Sequence, residues 1–315
     1  MNGNCPAARS RDNVFKFTGF YCRHVGRQME ERYTRILKGR LDATSLAKLE
    51  ALGDRRVHAF VAEAVELCQP DSVKVCSDDP TDAEYVRRYA VESGEETPLA
   101  IEGHTVHFDG YVNETRHDQA RDKKATRYLV GEGTELGRKL NQIDRDEGLA
   151  EVRSYLAGAM RGKQMFVRFF CLGPPCSAFS IPCVQITDSS YVAHSEDLLY
   201  RPGYEEFRRL GEGVEFFRFL HSAGRLVNHV SADIDKRRIY IDLAENTVYS
   251  VNTQYAGNTV GLKKLALRLA IRKADREGWL AEHMFIMGVH GPAGRVTYFT
   301  GAFPSACGKT STAML

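Results

Sequence analysis

One segment near the carboxyl end constrains the fold more than any other, because it has the form of a phosphate loop. Residues Phe303–Thr310 read F-P-S-A-C-G-K-T and follow an extended apolar run over Val296–Thr300. Consecutive backbone N–H groups at a helix start bind anions, a lysine neutralises phosphate, and a threonine hydroxyl can hold Mg²⁺. The general pattern has glycine where this chain has Phe303, so an ordinary turn into a helix is the alternative. The preceding strand and the small residues that follow favour phosphate binding.

Length and charge exclude several classes of protein. The chain has 315 residues, with 43 Lys and Arg against 41 Asp and Glu and a net charge of +2. This balance gives no basic excess for nucleic acid, and the length is typical of about two domains. No apolar run approaches the ~18 residues of a bilayer-spanning helix, and residues 1–20 lack the apolar stretch of a signal peptide. We therefore expect a soluble, cytoplasmic protein without nucleic-acid or membrane partners.

The eight cysteines indicate neither a disulfide framework nor a zinc site. No C-x-x-C pair occurs, and the spacing of Cys171, Cys176 and Cys183 is not that of a zinc knuckle. We expect all of them except Cys307 to be reduced thiols without a special role. Cys307 lies inside the loop, where backbone N–H groups and Lys309 would lower the pKa of its thiol.

Periodicity predicts helices in the first third of the chain and mainly strands after residue 164. Apolar spacing predicts a helix over 57–67, and the capping box Thr81-Asp82-Ala83-Glu84 predicts another through Val91. Apolar residues that recur every three to four positions predict a helix over Tyr204–His221. A basic amphipathic helix is expected over Leu262–Arg276, closed by Gly278. Predicted strands are Met165–Phe170, Val184–Thr187, the hairpin Ile239–Leu243 with Thr247–Val251, and the pair Met284–Val289 and Val296–Thr300.

The loop resembles that of one enzyme family, the GTP-dependent phosphoenolpyruvate carboxykinases, in which a reactive cysteine precedes G-K-T. Further motifs occur upstream in the family's order and spacing over roughly residues 118–315. They are Asp118-Gln-Ala-Arg121, Thr187-Asp-Ser189 with Tyr191-Val192, Tyr255-Ala-Gly-Asn258 with Lys263-Lys264, and Glu277-Gly-Trp-Leu-Ala-Glu-His-Met284. The resemblance implies an α/β fold, with a mixed α/β substrate domain over residues 1–275 and the start of a P-loop nucleotide-binding domain over residues 276–315.

The resemblance also implies a metal site. Taken alone, His283 is more typical of a satisfied core residue, and Lys263 with Lys264 of a solvated helix face. In the family, a lysine of this pair and the histidine of A-E-H-M bind the catalytic Mn²⁺ together with an aspartate further along the chain. We assign Lys264 and His283, with Lys263 as the alternative to Lys264. Thr310 would hold the second ion, Mg²⁺ or Mn²⁺, that accompanies GTP.

Substrate contacts follow from the same resemblance. Arg121 matches the arginine that, in the family, binds the substrate carboxylate. Judged without the resemblance, an arginine in so charged a stretch is more typical of a surface salt bridge. Tyr255 matches the aromatic contact to the carboxylate and CO₂, where a core position is the alternative. Gly257 and Asn258 shape the backbone beside it, and Ser305 contacts substrate.

The loop itself would bind the nucleotide and take part in catalysis. The expected catalytic residues are Lys264, Cys307 and Lys309. Ala256 and Ser311 depart from the glycine and asparagine of many relatives, so the preference for guanine rests on the loop resemblance alone. The expected nucleotide-binding residues are Ala306, Cys307, Gly308, Lys309, Thr310 and Ser311.

The implied activity is the Mn²⁺-dependent decarboxylation and phosphorylation of oxaloacetate by GTP, which gives phosphoenolpyruvate, GDP and CO₂ in gluconeogenesis. This activity belongs to a carboxy-lyase, and the full-length enzyme is expected to be a monomer. Because the family's metal-binding aspartate and guanine pocket follow the loop, we expect the 315-residue chain alone to be inactive. The alternatives are a non-catalytic phosphate-binding module and an unrelated P-loop kinase, which would transfer phosphate without releasing CO₂.

Overall fold

The computed structural model describes residues 29–108, 125–137, 139–254, 265–282, 284–302, 308 and 312. Its helices are residues 29–38 (α1), Ala43–Glu50 (α2), Arg55–Cys68 (α3), Pro80–Glu92 (α4), Arg145–Leu156 (α5), Ser190–Leu199 (α6), Tyr204–Leu210 (α7) and Ala270–Glu277 (α8). Its longer strands are Ser72–Val75 (β1), Thr126–Val130 (β4), Gln142–Asp144 (β5), Gln164–Leu172 (β6), Ile181–Thr187 (β7), Phe217–Ser222 (β9), Arg238–Asp242 (β12), Thr247–Val251 (β13), Phe285–His290 (β14) and Val296–Gly301 (β15). The two-residue strands are Thr97–Pro98 (β2), Thr105–Val106 (β3), Arg201–Pro202 (β8), Leu226–Val227 (β10) and Val230–Ser231 (β11).

A mixed sheet organises the described residues between 29 and 251. Nine of the described strands form it, in the order β1-β6-β7-β9-β13-β12-β4-β5, with β8 paired to β6. Its centre is parallel, because β7 pairs with β9 and β9 with β13 in the same direction. The flanking pairs β6–β7 and β12–β13 are antiparallel. The α/β class expected from the sequence is confirmed.

Both faces of the central strands are buried, as their nearly continuous apolar sequences require. On one face, α2, α3 and α5 pack on the sheet through Leu49, Val61 and Leu156, which are all fully buried. On the other face, Phe217, Ile241 and their neighbours meet the buried Leu269. The carboxyl ends of the parallel strands are where α/β proteins usually place their sites.

Local sequence explains most helix boundaries. α3 covers the predicted helix over 57–67 and begins after Asp54, whose carboxylate accepts a hydrogen bond from Arg56 N. α4 begins earlier than its predicted capping box, because Asp79 rather than Thr81 is the N-cap and Pro80 occupies the first turn. A fixed proline φ suits that position, so the aspartate and the proline together outweigh the threonine signal.

The predicted helix over Tyr204–His221 is wrong. Only Tyr204–Leu210 is helical, and Phe217–Ser222 is the central strand β9. Gly211 and Gly213 have φ values of 74° and 98°, which end the helix. The apolar residues of β9 are buried on both faces of the sheet, so apolar and polar residues do not alternate along it. Their spacing therefore resembles that of an amphipathic helix.

The remaining predicted elements agree with the structure. The strand predictions correspond to β6, β7, the β12–β13 hairpin and the β14–β15 hairpin. The basic helix is described from residue 265, begins as a π-helix over Leu265–Leu269 and ends at Gly278 with φ 74°. Of the helices that the structure describes, none combines the length and the apolar character needed to cross a bilayer.

Candidate functional site

The carboxyl ends of three parallel strands bring polar segments together. β7 ends at Thr187, β9 at Ser222 and β13 at Val251, and these strands are neighbours. The polar residues that follow, or close, each strand are buried, so they must satisfy one another. We call the set Thr187, Asp188, His221, Ser222, Thr253 and Gln254 the strand-end network.

Asp188 anchors the first part of this network. Its buried carboxylate accepts hydrogen bonds from Lys163 Nζ at 2.7 Å, Ser222 Oγ at 2.7 Å and Ala223 N at 2.7 Å. A lysine and two neutral donors on one buried carboxylate compensate the cost of removing its charge from water. The segment after β9 is therefore tied to the segment after β7.

His221 connects the other two strand ends. Its Nε2 lies 2.8 Å from the carbonyl oxygen of Thr253, and its Nδ1 lies 2.6 Å from Thr187 Oγ1. Because a carbonyl only accepts, Nε2 carries the proton. Burial lowers the pKa of His221, so the ring stays neutral and Nδ1 accepts from the Thr187 hydroxyl. That hydroxyl in turn accepts from Ser189 N at 3.1 Å.

Gln254 is the last described residue before the segment 255–264, and its side chain makes two hydrogen bonds. Its Oε1 accepts from Ser231 N at 2.9 Å, and its Nε2 donates to the carbonyl of His229 at 2.6 Å. Both contacts are to the small β10–β11 hairpin. Thr253 adds a hydroxyl contact to Ser250 at 2.7 Å. Hydrogen bonds of the Thr253 and Gln254 side chains thus fix the backbone that precedes Tyr255.

Glu95 occupies the amino end of α6, beside the strand-end network. Its carboxylate accepts from Ser189 Oγ at 2.5 Å, and from Ser190 N at 3.1 Å and Ser190 Oγ at 2.9 Å. Burial raises the pKa of Glu95, although the serine hydrogen bonds oppose the shift. A helix amino end attracts negative charge, so this position is filled by the protein's own carboxyl group.

A cleft of about 720 Å³ opens next to this region. It lies between the β2–β3 and β10–β11 hairpins, with Glu95, His107, Arg225 and His229 among its lining residues. The His107 ring stacks on Tyr191 with 3.7 Å between centroids. The His229 ring packs so close to Gly94 that a Cβ there would come within 2.7 Å of it. Glycine at position 94 is therefore required by both this approach and its φ of 78°.

Two described residues at or beside the cleft directly precede, in the sequence, the segments that carry most of the predicted substrate contacts. Phe108, on its wall, directly precedes residues 109–124, which include Arg121. Ser231, also on its wall, bonds to Gln254, which directly precedes Tyr255. A cleft of this volume is large enough for a small carboxylic acid.

The β14–β15 hairpin directly precedes the predicted phosphate loop. Phe285 pairs with Gly301 and His290 with Val296, so the chain enters and leaves at one end of the hairpin. Gly308 has φ 92°, a conformation that favours glycine. Thr312 donates to the Gly308 carbonyl from its backbone N and its Oγ1, each at 2.9 Å. A hydrogen bond with this spacing is that of a first helical turn, as expected after a phosphate loop.

Most predicted site residues lie outside the described residues. Gly308 is the member of the set that the structure describes. Within the described part of the chain, no group of three or more His, Cys, Asp or Glu side chains is arranged to hold a metal. The residues outside it are Arg121, Tyr255, Gly257, Asn258, Lys263, Lys264, His283, Ser305, Ala306, Cys307, Lys309, Thr310 and Ser311.

The cysteines that are described agree with the expectation of reduced thiols. Cys68, Cys76, Cys171 and Cys183 are buried and free, and Cys176 is exposed and free. Burial raises the pKa of the Cys183 thiol, which makes it unreactive.

Sequence reasoning missed the roles of Asp188, His221 and Gln254. The available signal was the run of polar residues directly after each apolar strand, such as Asn252-Thr253-Gln254 after β13. In an α/β sheet these positions share one edge, so they were candidates for a joint network.

Comparison with known proteins gives the family. The family model described as the phosphoenolpyruvate carboxykinase N-terminal domain matches residues 59–275, and the one described as its C-terminal P-loop domain matches residues 279–315. The chain is 57% identical over 276 residues to the phosphoenolpyruvate carboxykinase [GTP] of Thermococcus kodakarensis, covering 87% of this chain and 43% of that protein. It is 54% identical over 280 residues to the Thermococcus sibiricus protein of the same name, covering 89% and 44%.

A more distant relative shows the same coverage. The phosphoenolpyruvate carboxykinase [GTP] of Saccharolobus solfataricus is 48% identical over 280 residues, covering 89% of this chain and 43% of that protein. The chain thus spans less than half the length of these curated relatives. With one domain model covering most of its residues and a second covering its phosphate loop, the chain belongs to the phosphoenolpyruvate carboxykinase family.

Proposed function

We propose that this chain supplies the substrate-binding part and the phosphate loop of a GTP-dependent phosphoenolpyruvate carboxykinase. The reaction converts oxaloacetate and GTP to phosphoenolpyruvate, GDP and CO₂. The observation that carries the proposal is the strand-end network, which fixes the backbone up to Gln254, the residue before the segment that contains Tyr255, Gly257 and Asn258. The hydrogen bonds from Thr312 to the Gly308 carbonyl, which have helical spacing, support the phosphate-binding part.

The proposal assigns the binding of substrate and nucleotide to particular residues of this chain. Arg121 binds a substrate carboxylate, and Tyr255 contacts the carboxylate that leaves as CO₂. Breaking that carbon–carbon bond leaves its electron pair on the substrate as an enolate. The enolate oxygen then attacks the γ-phosphorus of GTP, and the bond from that phosphorus to the bridging oxygen breaks to release GDP. Lys309 neutralises the phosphates, and Ser305 orients the substrate.

The metal ions belong to the same proposal. Lys264, or Lys263 in its place, and His283 would hold Mn²⁺, and Thr310 would hold the ion that accompanies GTP. A divalent ion of this kind supplies Lewis-acid stabilisation of negative charge on substrate oxygens. For a lysine to act as a ligand its amine must be neutral, so burial beside the cation has to lower its pKa. The proposal extends to a cytoplasmic, monomeric enzyme of gluconeogenesis.

Binding measurements on the 315-residue chain test the two parts separately. Calorimetric titration with phosphoenolpyruvate reports the substrate part, and titration with Mg²⁺–GTP reports the loop. Arg121→Ala should reduce phosphoenolpyruvate affinity at least tenfold and leave GTP affinity within twofold. Lys309→Ala should do the reverse, because its side chain contacts the nucleotide phosphates.

The outcomes separate the candidate functions. Binding of both ligands with this reciprocal pattern supports the carboxykinase proposal. Binding of GTP without phosphoenolpyruvate supports the phosphate-binding module instead. If neither titration gives a signal, or if both variants behave as the unmodified chain, the residue assignments are wrong.

A further inference from the structure

A second polar cluster lies between the sheet and α6, away from the cleft. Arg168 of β6 and Gln185 of β7 are cross-strand partners, and Glu196 and Asp197 lie on α6. Arg168 is 7% exposed, whereas Gln185 and Glu196 are each 0% exposed. We call these four side chains the α6 polar cluster. Side chains buried to this depth almost always have a partner for each polar atom.

The cluster contains one direct hydrogen bond between its own members, from Arg168 Nη2 to Asp197 Oδ1. The Gln185 amide lies near enough to Glu196 to lower the pKa of that carboxyl, but without hydrogen-bond geometry. Among the described residues, the atoms of the cluster that lack a partner in good hydrogen-bond geometry are Arg168 Nε and Nη1, Gln185 Oε1 and Nε2, Glu196 Oε1 and Oε2, and Asp197 Oδ2. The buried Cys76 thiol lies beside the Arg168 guanidinium as a further polar group.

The mixture of donors and acceptors identifies the ligand that fits. The unpartnered nitrogens of Arg168 and Gln185 are donors, whereas the unpartnered oxygens of Gln185 and Asp197 are acceptors. A cation would satisfy the oxygens and be repelled by the guanidinium group. An anion would satisfy the nitrogens and be repelled by Asp197. Water both donates and accepts, and buried waters in proteins typically make about three hydrogen bonds to such groups.

The charge of the cluster agrees with a neutral ligand. Arg168 and Asp197 form an ion pair, so their charges cancel. Burial raises the pKa of Glu196 well above its ordinary value, and the neighbouring Asp197 raises it further. A protonated Glu196 carries no charge and offers one donor and one acceptor. No net charge then remains in the cluster to attract an ion.

We propose that Arg168, Gln185, Glu196 and Asp197 form an internal binding site for ordered water that joins β6 and β7 to α6. The waters complete the hydrogen bonds that these side chains leave open. α6 begins at Ser190, beside Glu95 and the strand-end network, so the helix that borders the candidate site is held to the sheet partly through solvent. The proposal does not depend on the carboxykinase activity.

Nuclear magnetic resonance on the unmodified, isotopically labelled 315-residue chain tests the site directly. The side-chain N–H protons of Gln185 and Arg168 should show cross-relaxation with water, of the sign given by waters that stay bound longer than the molecule takes to tumble. If these protons show no such cross-relaxation, the water site does not exist. Replacing choline chloride by KCl at equal ionic strength should leave the Gln185 amide resonances unmoved. A potassium-specific shift would identify a cation site and overturn the proposal.

Two variants provide a matched comparison, read by the relaxation dispersion of water, which counts long-lived internal molecules. Glu196→Gln keeps a donor and an acceptor in the same shape, and its dispersion amplitude should equal that of the unmodified chain. The double change Gln185→Leu with Glu196→Leu removes the polar atoms and should lose the contribution of at least one water. An unchanged amplitude in a folded double variant contradicts the proposal. If that variant does not fold, the cross-relaxation result on the unmodified chain decides.

Discussion

The buried polar residues at the carboxyl edge of the sheet are fixed by one another rather than by solvent. His221 is the clearest case, because each ring nitrogen has one partner and the two partners lie on different strand ends. A neutral ring with a defined tautomer holds Thr187 and Thr253 at a fixed separation. The next residues along the chain after Thr253 are Gln254 and Tyr255, so this hydrogen bond fixes the backbone two residues before the proposed substrate segment.

Replacing His221 with phenylalanine should destabilise the fold and weaken substrate binding together. The ring volume is kept, but the Thr253 carbonyl and the Thr187 hydroxyl lose their partners. Each buried group left unpaired costs about 1–3 kcal/mol, so for the two groups we expect a loss of about 2–6 kcal/mol in the free energy of unfolding. Urea unfolding and phosphoenolpyruvate titration measure the two effects.

The control for this change is His221→Gln, which can keep one of the two hydrogen bonds and should lose less stability. A His221→Phe variant as stable as the unmodified chain would show that the ring bonds contribute nothing. A stable variant with unaltered phosphoenolpyruvate affinity would separate His221 from the substrate segment.

The raised pKa of Glu196 should make the stability of the fold decrease as the pH rises. The folded chain keeps its proton above the ordinary pKa of 4.5, whereas the unfolded chain loses it. Stability from this group is complete below pH 4.5 and falls as the pH rises towards the raised pKa, by at most about 1.4 kcal/mol for each pH unit. The groups that face Glu196 are Arg168, Gln185, Asp197 and Tyr200.

Glu196→Gln removes this titration, so the variant should gain stability relative to the unmodified chain between pH 4.5 and pH 7.5. Urea unfolding at several pH values measures the difference. Glu132→Gln, which neutralises an exposed carboxylate, controls for the loss of one charge. A difference between Glu196→Gln and the unmodified chain that does not grow with pH would mean that Glu196 is ionised in the fold.

At the scale of elements, Glu215, which lies just before β9, bonds to two basic side chains of α8. Glu215 accepts from Arg276 Nη2 at 2.7 Å, from Lys273 Nζ at 3.2 Å and from Asn246 Nδ2 at 2.7 Å. Burial alone would raise the pKa of Glu215, but these three donors outweigh it and lower the pKa to about 2. α8 follows the segment with Lys263 and Lys264 and precedes the hairpin of the phosphate loop, so this attachment lies between the two.

Glu215→Gln should loosen α8 at neutral pH. A lowered folded pKa means that the stabilisation is present above pH 4.5 and is lost as the pH falls towards 2. The variant should therefore show faster amide hydrogen exchange over Ala270–Glu277 at pH 7, and this difference should shrink in acid. Glu205→Gln, which removes an exposed pair with Arg208, is the control and should leave α8 unchanged. Equal exchange in α8 for both variants at pH 7 would rule out the attachment.

Gly308 is expected to be essential for conformational reasons alone. A Cβ at this position would meet none of the described atoms within 4 Å, but φ is 92°. Gly308→Ala therefore costs about 1 kcal/mol or more by moving the backbone out of a region that side chains avoid. We expect Mg²⁺–GTP affinity to fall at least fivefold, whereas Gly131→Ala, at an open position with an ordinary φ, should have no effect. Undiminished GTP affinity in Gly308→Ala would remove this glycine from the site.

Short-range patterns predicted elements well where turn residues marked their ends. Gly291–Gly294 between β14 and β15, and Asn246 with φ 48° between β12 and β13, are such cases. The failure at Tyr204–His221 has the opposite cause, because a strand buried on both faces shows no alternation. The network around His221 was not predicted, since its partners are 34 and 32 positions away in the sequence and come together only through the sheet order.

At the scale of the whole molecule, the sheet edge and the β14–β15 hairpin carry different parts of the proposed reaction. The strand-end network leads into the segment with Tyr255 and Asn258, and the hairpin leads into the loop with Lys309. The hairpin exposes apolar side chains, with Ile286 and Tyr298 each 72% exposed. The curated relatives are more than twice as long as the stretch that matches this chain. The whole reaction is therefore best tested with the rest of a relative joined to this chain.

The most direct test is the release of CO₂ from oxaloacetate by a chimera. In it, residues 1–315 replace the matching part of the Thermococcus kodakarensis phosphoenolpyruvate carboxykinase [GTP], to which they are 57% identical. We predict CO₂ release that requires both GTP and Mn²⁺, and we predict that His283→Ala in the chimera abolishes the response to Mn²⁺. A folded chimera that releases no CO₂ with GTP and Mn²⁺, beside an active parent enzyme, would contradict the central claim that this chain carries the substrate site and phosphate loop of the enzyme.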